Sequence, residues 1–186
     1  MLIGLGHQAR VGKDTVGGLL VEEHGFRRYA FADALKAFAV KCNPLIDTTS
    51  GLPSGRIHLA QAVMKAGWEE TKQHFALSRL FLQNVGIAAR EEFGENFWVD
   101  RVMAQVGSQQ RSAVITDVRF VNEADAIRAA GGFVIKVHRP GVHALNAHVS
   151  EHALDDYDFD GHLFNDGTYD DLGFTVKGLV HDLKRR

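Results

Sequence analysis

The sequence predicts an α/β fold, in which a parallel sheet of about five strands is flanked by helices. Short apolar runs alternate along the chain with longer segments of helical periodicity, and strands that are separated by helices pair in parallel. The run SAVITDV (112–118) is apolar enough for a strand that is covered on both faces of a sheet. The run LIGL (2–5) is a second candidate for a buried strand, and a glycine-containing loop and a helix follow it.

The elements after that loop continue the alternation. An amphipathic helix is expected from the end of the loop to Gly25, which is a typical helix terminator. Residues 27–31 are expected to form a second strand, and residues 33–42 a helix that Asp33 caps.

The middle of the chain is expected to be mainly helical. Residues 43–55 contain two of the three prolines and several turn formers, which predicts a loop. From 57 to 107 the periodicity is helical, with breaks expected near Gly67, Gly86 and Gly94.

The last third returns to the α/β pattern. A helix is expected at 122–132, a strand at 133–141, a last short strand at 161–167 and an amphipathic helix at the C-terminus. No repeat, low-complexity tract or linker interrupts the pattern, so one domain is the simplest organisation.

Composition and charge narrow the class of protein. Hydrophobic residues make up 45% of the 186 residues and charged residues 24%, which is typical of a soluble globular protein. A net charge of −2 gives no general attraction to nucleic acid or to anionic lipid, so neither is expected as a partner, and local cations must hold any anionic substrate. A homodimer stays open. Cys42 is the single cysteine, and the chain has no apolar run of about 18 residues and no signal-peptide core, which favours the cytoplasm.

The segment GHQARVGKDT (6–15) is close to a phosphate-binding loop. The standard pattern has Gly six places before the Lys and Ser or Thr directly after it, but His7 and Asp14 occupy those places. Lys13 offers a charge for phosphate and Thr15 a hydroxyl for phosphate or metal-bound water, while Asp14 could hold Mg²⁺ directly or through water. The residues alone leave an ordinary strand–turn–helix corner open.

Seven segments extend this observation over most of the chain: GKDT (12–15), FADALK (31–36), RLFLQNVGIAAREEFGENFWVDRV (79–102), ITDVRFVNEAD (115–125), VIKVHRPG (134–141), HVSEH (148–152) and FNDGTYDDL (164–172). Their order and spacing resemble the phage-type deoxynucleoside monophosphate kinases, which have the P-loop nucleoside monophosphate kinase fold. The resemblance implies transfer of the γ-phosphoryl group from ATP to a deoxynucleoside monophosphate (dNMP) with Mg²⁺, which gives ADP and a dNDP. It also implies a helical acceptor-binding insertion over about 33–107 and a lid over about 139–152.

The resemblance also implies roles for residues in the donor half of the site. Lys13, Arg119 and Arg139 are implied as catalytic, and Asp14 and Asp117 as metal-binding, although Asp117 could instead cap the following helix. The residues implied to bind ATP are Arg10, Val11, Gly12, Lys13, Asp14, Thr15 and Asn165. Asn165, together with Asp166, is expected near the adenine, but a simple NDG turn explains them almost as well.

Other residues are implied to bind the acceptor. Arg119 is implied to hold its phosphate through bidentate hydrogen bonds, and a salt bridge with Glu123 is the alternative. The spacing of Arg79, Gln83 and Arg90 puts them roughly on one helix face. The full set is Asp33, Lys36, Arg79, Gln83, Arg90, Trp98, Arg119 and Glu123. Asp33 and Lys36 could equally be a helix cap and a solvated lysine, and Trp98, like Phe97, could pack in the core instead of stacking on a base.

The expected lid would use Arg139, His148 and Glu151. Its histidines also suggest zinc, but they lack the paired spacing of known zinc motifs and no cysteine accompanies them. Three other functions stay open: a related small-molecule kinase such as a dephospho-coenzyme A kinase-like enzyme, a nucleotide-dependent switch, and a non-catalytic nucleotide-binding protein.

Overall fold

A computed structural model of the protein describes residues 1–6, 8–47, 55–109, 111–142 and 152–186. The chain divides into two compact units, one formed by residues 1–31 and 99–186 and the other by residues 32–98. The elements are β1 (Leu2–Gly6), α1 (Lys13–His24), β2 (Arg27–Tyr29), α2 (Phe31–Cys42), β3 (Leu45–Asp47), β4 (Arg56–His58), α3 (Leu59–His74), α4 (Ala76–Phe93), α5 (Phe97–Gly107), β5 (Ala113–Val118), α6 (Val121–Ala129), β6 (Phe133–His138), β7 (Gly161–Phe164) and α7 (Tyr169–Leu183).

The first unit contains a five-stranded parallel sheet in the order β2-β5-β1-β6-β7. The central strand β1 is buried along its whole length. It pairs with β5 on one side and with β6 on the other, with Gly4 opposite both Ile115 and Val134. The predicted α/β class with about five parallel strands is confirmed, and the loops that follow these strands begin at one edge of the sheet.

Apolar side chains from the sheet and from two helices form the core of this unit. Ile3, Leu5, Val114, Ile135 and Leu163 lie in the sheet and are fully buried. Helices α1 and α7 cover them with Val16, Leu19, Leu20, Leu172, Val176, Val180 and Leu183. Burial of both faces explains why the strands are continuous apolar runs.

The second unit has its own small apolar core, which includes Ile46, Leu59 and Ala62. Its strands β3 and β4 pair antiparallel, with Ile46 opposite Ile57. The prediction of a loop over 43–55 was therefore wrong at Leu45–Asp47. Strands of three residues are too short for a period-two pattern to be recognised, and their stability depends on the pairing.

Two of the three expected breaks in the helical region are confirmed. Gly67 has φ 76° and interrupts α3, and Gly94 has φ 100° and ends α4. The break near Gly86 was wrong, because α4 continues through that residue. A Cβ at Gly86 would lie 3.3 Å from a methyl carbon of Leu35, so this glycine permits close packing instead of ending a helix.

Asp33 does not cap α2, because the helix begins two residues earlier at Phe31. Within the described residues, no helix is both long enough and apolar enough to cross a membrane.

Candidate active site

The loop between β1 and α1 has the backbone geometry of an anion-binding turn. Arg10 and Gly12 adopt left-handed conformations, with φ 64° and φ 98°. Helix α1 begins directly afterwards at Lys13, and its N-cap residue, Gly12, has no side chain that could cap it. Successive N–H groups of such a turn, together with the positive end of a helix dipole, favour phosphate oxygens.

The lysine of this loop is held inside it. Lys13 is only 7% exposed, and its Nζ donates a hydrogen bond to the carbonyl of Gln8. Thr15 is exposed in the first turn of α1. Asp14 is exposed as well, and its carboxylate lies 3.6 Å from the guanidinium of Arg28. The loop therefore has the cation and the hydroxyl that a triphosphate site needs, while His7 lies outside the described residues.

Asn165, which directly follows β7, is in contact with this loop. Its side-chain Nδ2 donates a 2.9 Å hydrogen bond to the carbonyl of Val11. Its backbone N–H donates a 2.8 Å hydrogen bond to the carbonyl of His138, at the end of β6. The structure thus places Asn165 beside the loop, where the expected ATP-binding residues lie.

A cavity of about 290 Å³ opens beside the loop, and it is lined by Gln8, Val11, His138, Arg139, Pro140, Val142 and Phe164. The His138 ring stacks on Phe164 at 4.7 Å between centroids, and its Nε2 lies 2.9 Å from Nδ1 of His162. Burial lowers the pKa of His138, and the neighbouring His162 and Lys136 lower it further. A neutral aromatic wall of this kind suits the face of a planar ring.

The sequence analysis had not assigned a role to His138 or Phe164. The available signal was their position, since each is the last residue of a parallel strand. Arg139 is exposed and is one of the residues that line the same cavity. The other two residues expected in the lid, His148 and Glu151, lie outside the described residues.

Asp117, near the end of β5, has a role that the sequence analysis did not consider. Its Oδ1 accepts a 2.7 Å hydrogen bond from the backbone N–H of Phe31, the first residue of α2. The alternative that Asp117 caps the following helix was wrong, because α6 has Phe120 as its N-cap. Asp117 and Phe31 are distant in sequence, and they come together because β2 and β5 are neighbouring strands in the sheet.

Glu123 stabilises the start of α6 and the segment before it. Its Oε2 accepts hydrogen bonds from the backbone N–H of Arg119 at 2.7 Å and of Phe120 at 3.1 Å. Burial raises the pKa of Glu123 to about 7, and the negative charge of Asp117 raises it as well. The two hydrogen bonds act in the opposite direction and lower this pKa. The observed bond between the two residues is thus made by the backbone of Arg119, and the salt bridge between their side chains stays a prediction.

In the second unit, cations gather around Glu69. Hydrogen bonding with Lys72 lowers the pKa of Glu69, and the charges of Lys36 and Arg79 act in the same direction. The structure thus brings together Lys36 and Arg79, two of the expected acceptor residues, and adds Lys72, which the sequence analysis missed. Lys36 also lies 3.9 Å from the carboxylate of Asp33.

Other expected acceptor residues lie on α4 and at the start of α5. Gln83 is exposed and Arg90 is half-buried. Trp98 is 8% exposed, its indole N–H donates to the carbonyl of Gly86 at 3.2 Å, and its ring makes edge contacts with Phe38 and Phe97. This geometry corrects the expectation that Trp98 binds a base, and it favours the core-packing alternative.

The described residues contain no group of three or more His, Cys, Asp or Glu placed to hold a metal ion. Magnesium is commonly bound by one or two carboxylates together with substrate phosphates. The exposed Asp14 and the half-buried Asp117 fit that kind of site.

A parallel sheet whose central strand leads through an anion-binding loop into a helix is the arrangement of P-loop nucleotide-binding proteins. The family model described as deoxynucleotide monophosphate kinase matches residues 56–176. The chain belongs to this family, and the enzyme class expected from the sequence is confirmed.

Two individual proteins that are similar to this chain are named as members of the same family. A protein of Acanthamoeba polyphaga mimivirus, provisionally named a deoxynucleotide monophosphate kinase, is 29% identical over 81% of this chain and 80% of its own length. The deoxynucleotide monophosphate kinase of Escherichia phage RB69 is 33% identical over 47% of this chain and 38% of its own length. The dephospho-CoA kinase of Campylobacter jejuni is similar in fold alone, with a TM-score of 0.50 and 12% identity over 99% of this chain and 97% of its own.

Because the pKa of Glu123 is raised, the difference in free energy of unfolding between the Glu123→Gln variant and the unchanged protein should depend on pH. Its folded-state pKa of about 7 lies above the ordinary value of 4.5, so protonation favours the folded state. This contribution is complete below about pH 4.5 and is lost as the pH rises through about 7. Between those values, the free energy of unfolding of Glu123→Gln should rise relative to that of the unchanged protein by roughly 3 kcal/mol.

Urea unfolding of both proteins at a series of pH values measures this difference. Glu22→Gln is the matched control, because Glu22 is exposed on α1. A difference for Glu123→Gln that stays constant with pH would contradict the raised pKa.

Proposed function

We propose that this chain transfers the γ-phosphoryl group of ATP to a dNMP, giving ADP and a dNDP. The observation that carries the proposal is the loop before α1, in which left-handed conformations at Arg10 and Gly12 accompany a buried Lys13 at the start of a helix whose N-cap is glycine. Membership of the deoxynucleotide monophosphate kinase family supports the choice of acceptor.

The ATP phosphates are assigned to the loop and to the start of α1. The backbone N–H groups of the turn would bind the phosphate oxygens, and Lys13 would neutralise charge on the β- and γ-phosphates. The adenine is assigned to the cavity beside the loop, where His138 and Phe164 offer an aromatic wall.

Mg²⁺ would be held by Asp117 and Asp14 together with the phosphates of ATP. Bound Mg²⁺ neutralises the charge that develops on the transferred group. Asp117 uses one oxygen to cap α2. Because β5 neighbours β1 in the sheet, Asp117 stands at the same edge as the loop.

The phosphate of the dNMP is assigned to Arg119. A guanidinium can bind phosphate through two parallel hydrogen bonds and keeps its charge at every physiological pH. The bonds from Glu123 to the backbone of Arg119 and Phe120 hold this segment in place. In the second unit, the cluster of Lys36, Lys72 and Arg79 is a further candidate for holding an anion.

The chemistry demands no dedicated base. The phosphate of a dNMP is already ionised at neutral pH, so its oxygen can attack the γ-phosphorus directly. Catalysis then consists of positioning the two substrates and stabilising the charge that spreads over the transferred group. Arg139, which lines the cavity, is proposed to contribute a further charge. Because ATP and dNMPs are metabolites of the cell interior, we place the reaction in the cytoplasm.

Replacement of Lys13 tests the donor site. Lys13→Ala should lower kcat by roughly a thousandfold or more, because it removes a charge that stabilises the transition state. The melting temperature should change little by comparison. Lys177→Ala, which alters an exposed lysine on α7, is the matched control. Phosphoryl transfer retained in Lys13→Ala would refute the assignment of the donor phosphates to this loop.

Replacement of Asp117 separates its two roles. Asp117→Asn keeps an oxygen that can accept the bond from Phe31, but it loses the negative charge. The Mg²⁺ concentration for half-maximal activity should therefore rise about tenfold, whereas Asp117→Ala should also lose stability. A Mg²⁺ titration that Asp117→Asn leaves unchanged would restrict Asp117 to capping α2.

Replacement of Arg119 tests the acceptor assignment. Loss of a bidentate contact with phosphate should cost about 2–4 kcal/mol, or roughly 30- to 1,000-fold in kcat/KM for the dNMP. Binding of a non-hydrolysable ATP analogue should be unchanged. If Arg119→Ala abolishes binding of the analogue instead, Arg119 belongs to the donor site. The same kinetics on Arg79→Ala test the cationic cluster of the second unit.

A further inference from the structure

One residue connects the ends of three neighbouring strands. Asn165 follows β7, its backbone N–H donates to His138 at the end of β6, and its side chain donates to Val11 in the loop after β1. Strands β1, β6 and β7 are consecutive in the sheet. The amide of Asn165 therefore links the anion-binding loop to the two strands on one side of it.

The fit between Asn165 and the loop leaves no room for a side chain at position 12. A Cβ built on Gly12 would lie 2.3 Å from Nδ2 of Asn165, well inside contact distance. Gly12 also has φ 98°, a conformation that residues with side chains rarely adopt. The conformation of the loop and the position of the Asn165 amide thus depend on each other.

The hydrogen bond from Asn165 also determines where an N–H group points. It is accepted by the carbonyl of Val11, which shares a planar peptide group with the N–H of Gly12. In a trans peptide the C=O and N–H bonds point in opposite directions. Holding the carbonyl of Val11 toward Asn165 therefore turns the N–H of Gly12 to the other side of this peptide.

We propose that Asn165 is a positioning residue for the donor phosphates, which acts by holding the Val11–Gly12 peptide so that the N–H of Gly12 faces a phosphate oxygen. This inference rests on the proposed function, in which the loop binds ATP. It differs from a contact between Asn165 and the adenine, because it makes the side chain important for every triphosphate, whatever base is attached. It also explains why the amide N–H faces the backbone of the loop.

Inorganic tripolyphosphate is the probe that separates these two roles, because it has phosphates and no base. Two variants remove the donor: Asn165→Asp keeps the shape but turns an oxygen toward the carbonyl of Val11, and Asn165→Ala removes the group without adding charge. Each should weaken the Kd of tripolyphosphate about tenfold or more, and the Kd values of ATP and GTP by the same factor. Asn84→Asp, which makes the same exchange at an exposed residue of α4, should leave all three unchanged.

Calorimetric titration of the variants distinguishes the proposed positioning role of Asn165 from a contact between Asn165 and the base. If ATP binding weakens while tripolyphosphate binding does not, Asn165 contacts the base and the proposal is wrong. If neither weakens, the hydrogen bond to Val11 has no functional role and the proposal is also wrong. Phosphoryl transfer by the unchanged protein is measured in parallel. Its absence would count against the proposed function, whereas normal transfer with unaffected variants would count against the role of Asn165 alone.

A measurement on the unchanged protein keeps the proposal testable if the variants do not fold. Tripolyphosphate should shift the backbone amide resonance of Gly12 downfield in a ¹⁵N-correlated NMR spectrum, because that N–H would donate to a phosphate oxygen. A Gly12 resonance that stays in place while tripolyphosphate binds would overturn the proposal.

Discussion

The site depends on the parallel pairing of β1 between β5 and β6. This pairing brings to one edge of the sheet the loop before α1, the Asp117–Arg119 segment and the His138–Arg139 segment. None of these groups is close to the others in sequence. A Cβ at Gly4 in β1 would lie 2.5 Å from Cδ1 of Ile127, so a shift of β1 by one residue would bring a larger side chain into a space that has no room for it. The hydrophobic core thus determines the geometry of a polar site.

The helices that follow the strands at this edge differ in how their starts are satisfied. Side chains bond to backbone N–H groups at or just before the starts of α2, α6 and α7, and these side chains are Asp117, Glu123 and Thr168. Gly12, the N-cap residue of α1, has no side chain that could do this. The start of α1, beside Lys13, is therefore suited to an external anion.

The sequence predicted the parts of the fold that rest on local patterns. The strand at 112–118, the helix that ends at Gly25 and the loop around Lys13 each depend on apolar periodicity or on a short motif, and each is present. Asn165 was also expected in the donor half of the site. Its bond to Val11, however, could not be predicted, because the two residues are brought together only by the order of β1, β6 and β7.

The other misses share this cause. Asp117 caps a helix that starts 86 residues earlier in the chain, and Trp98 is buried by aromatic neighbours that include Phe38. Gly86 was taken for a helix break because glycine usually weakens helices, yet here it accommodates Leu35. In each case a contact between distant segments overrides the local preference of the residue.

The central claim is that the chain moves a phosphoryl group from ATP to a dNMP. Incubation of the protein with γ-³²P-labelled ATP, Mg²⁺ and each acceptor in turn, followed by chromatographic separation, tests this claim most directly. The acceptors should include the four common dNMPs, the matching ribonucleotides and dephospho-coenzyme A. The account predicts label in at least one dNDP and none in dephospho-coenzyme A. Label in dephospho-coenzyme A, or ATP binding without transfer to any dNMP, would contradict it.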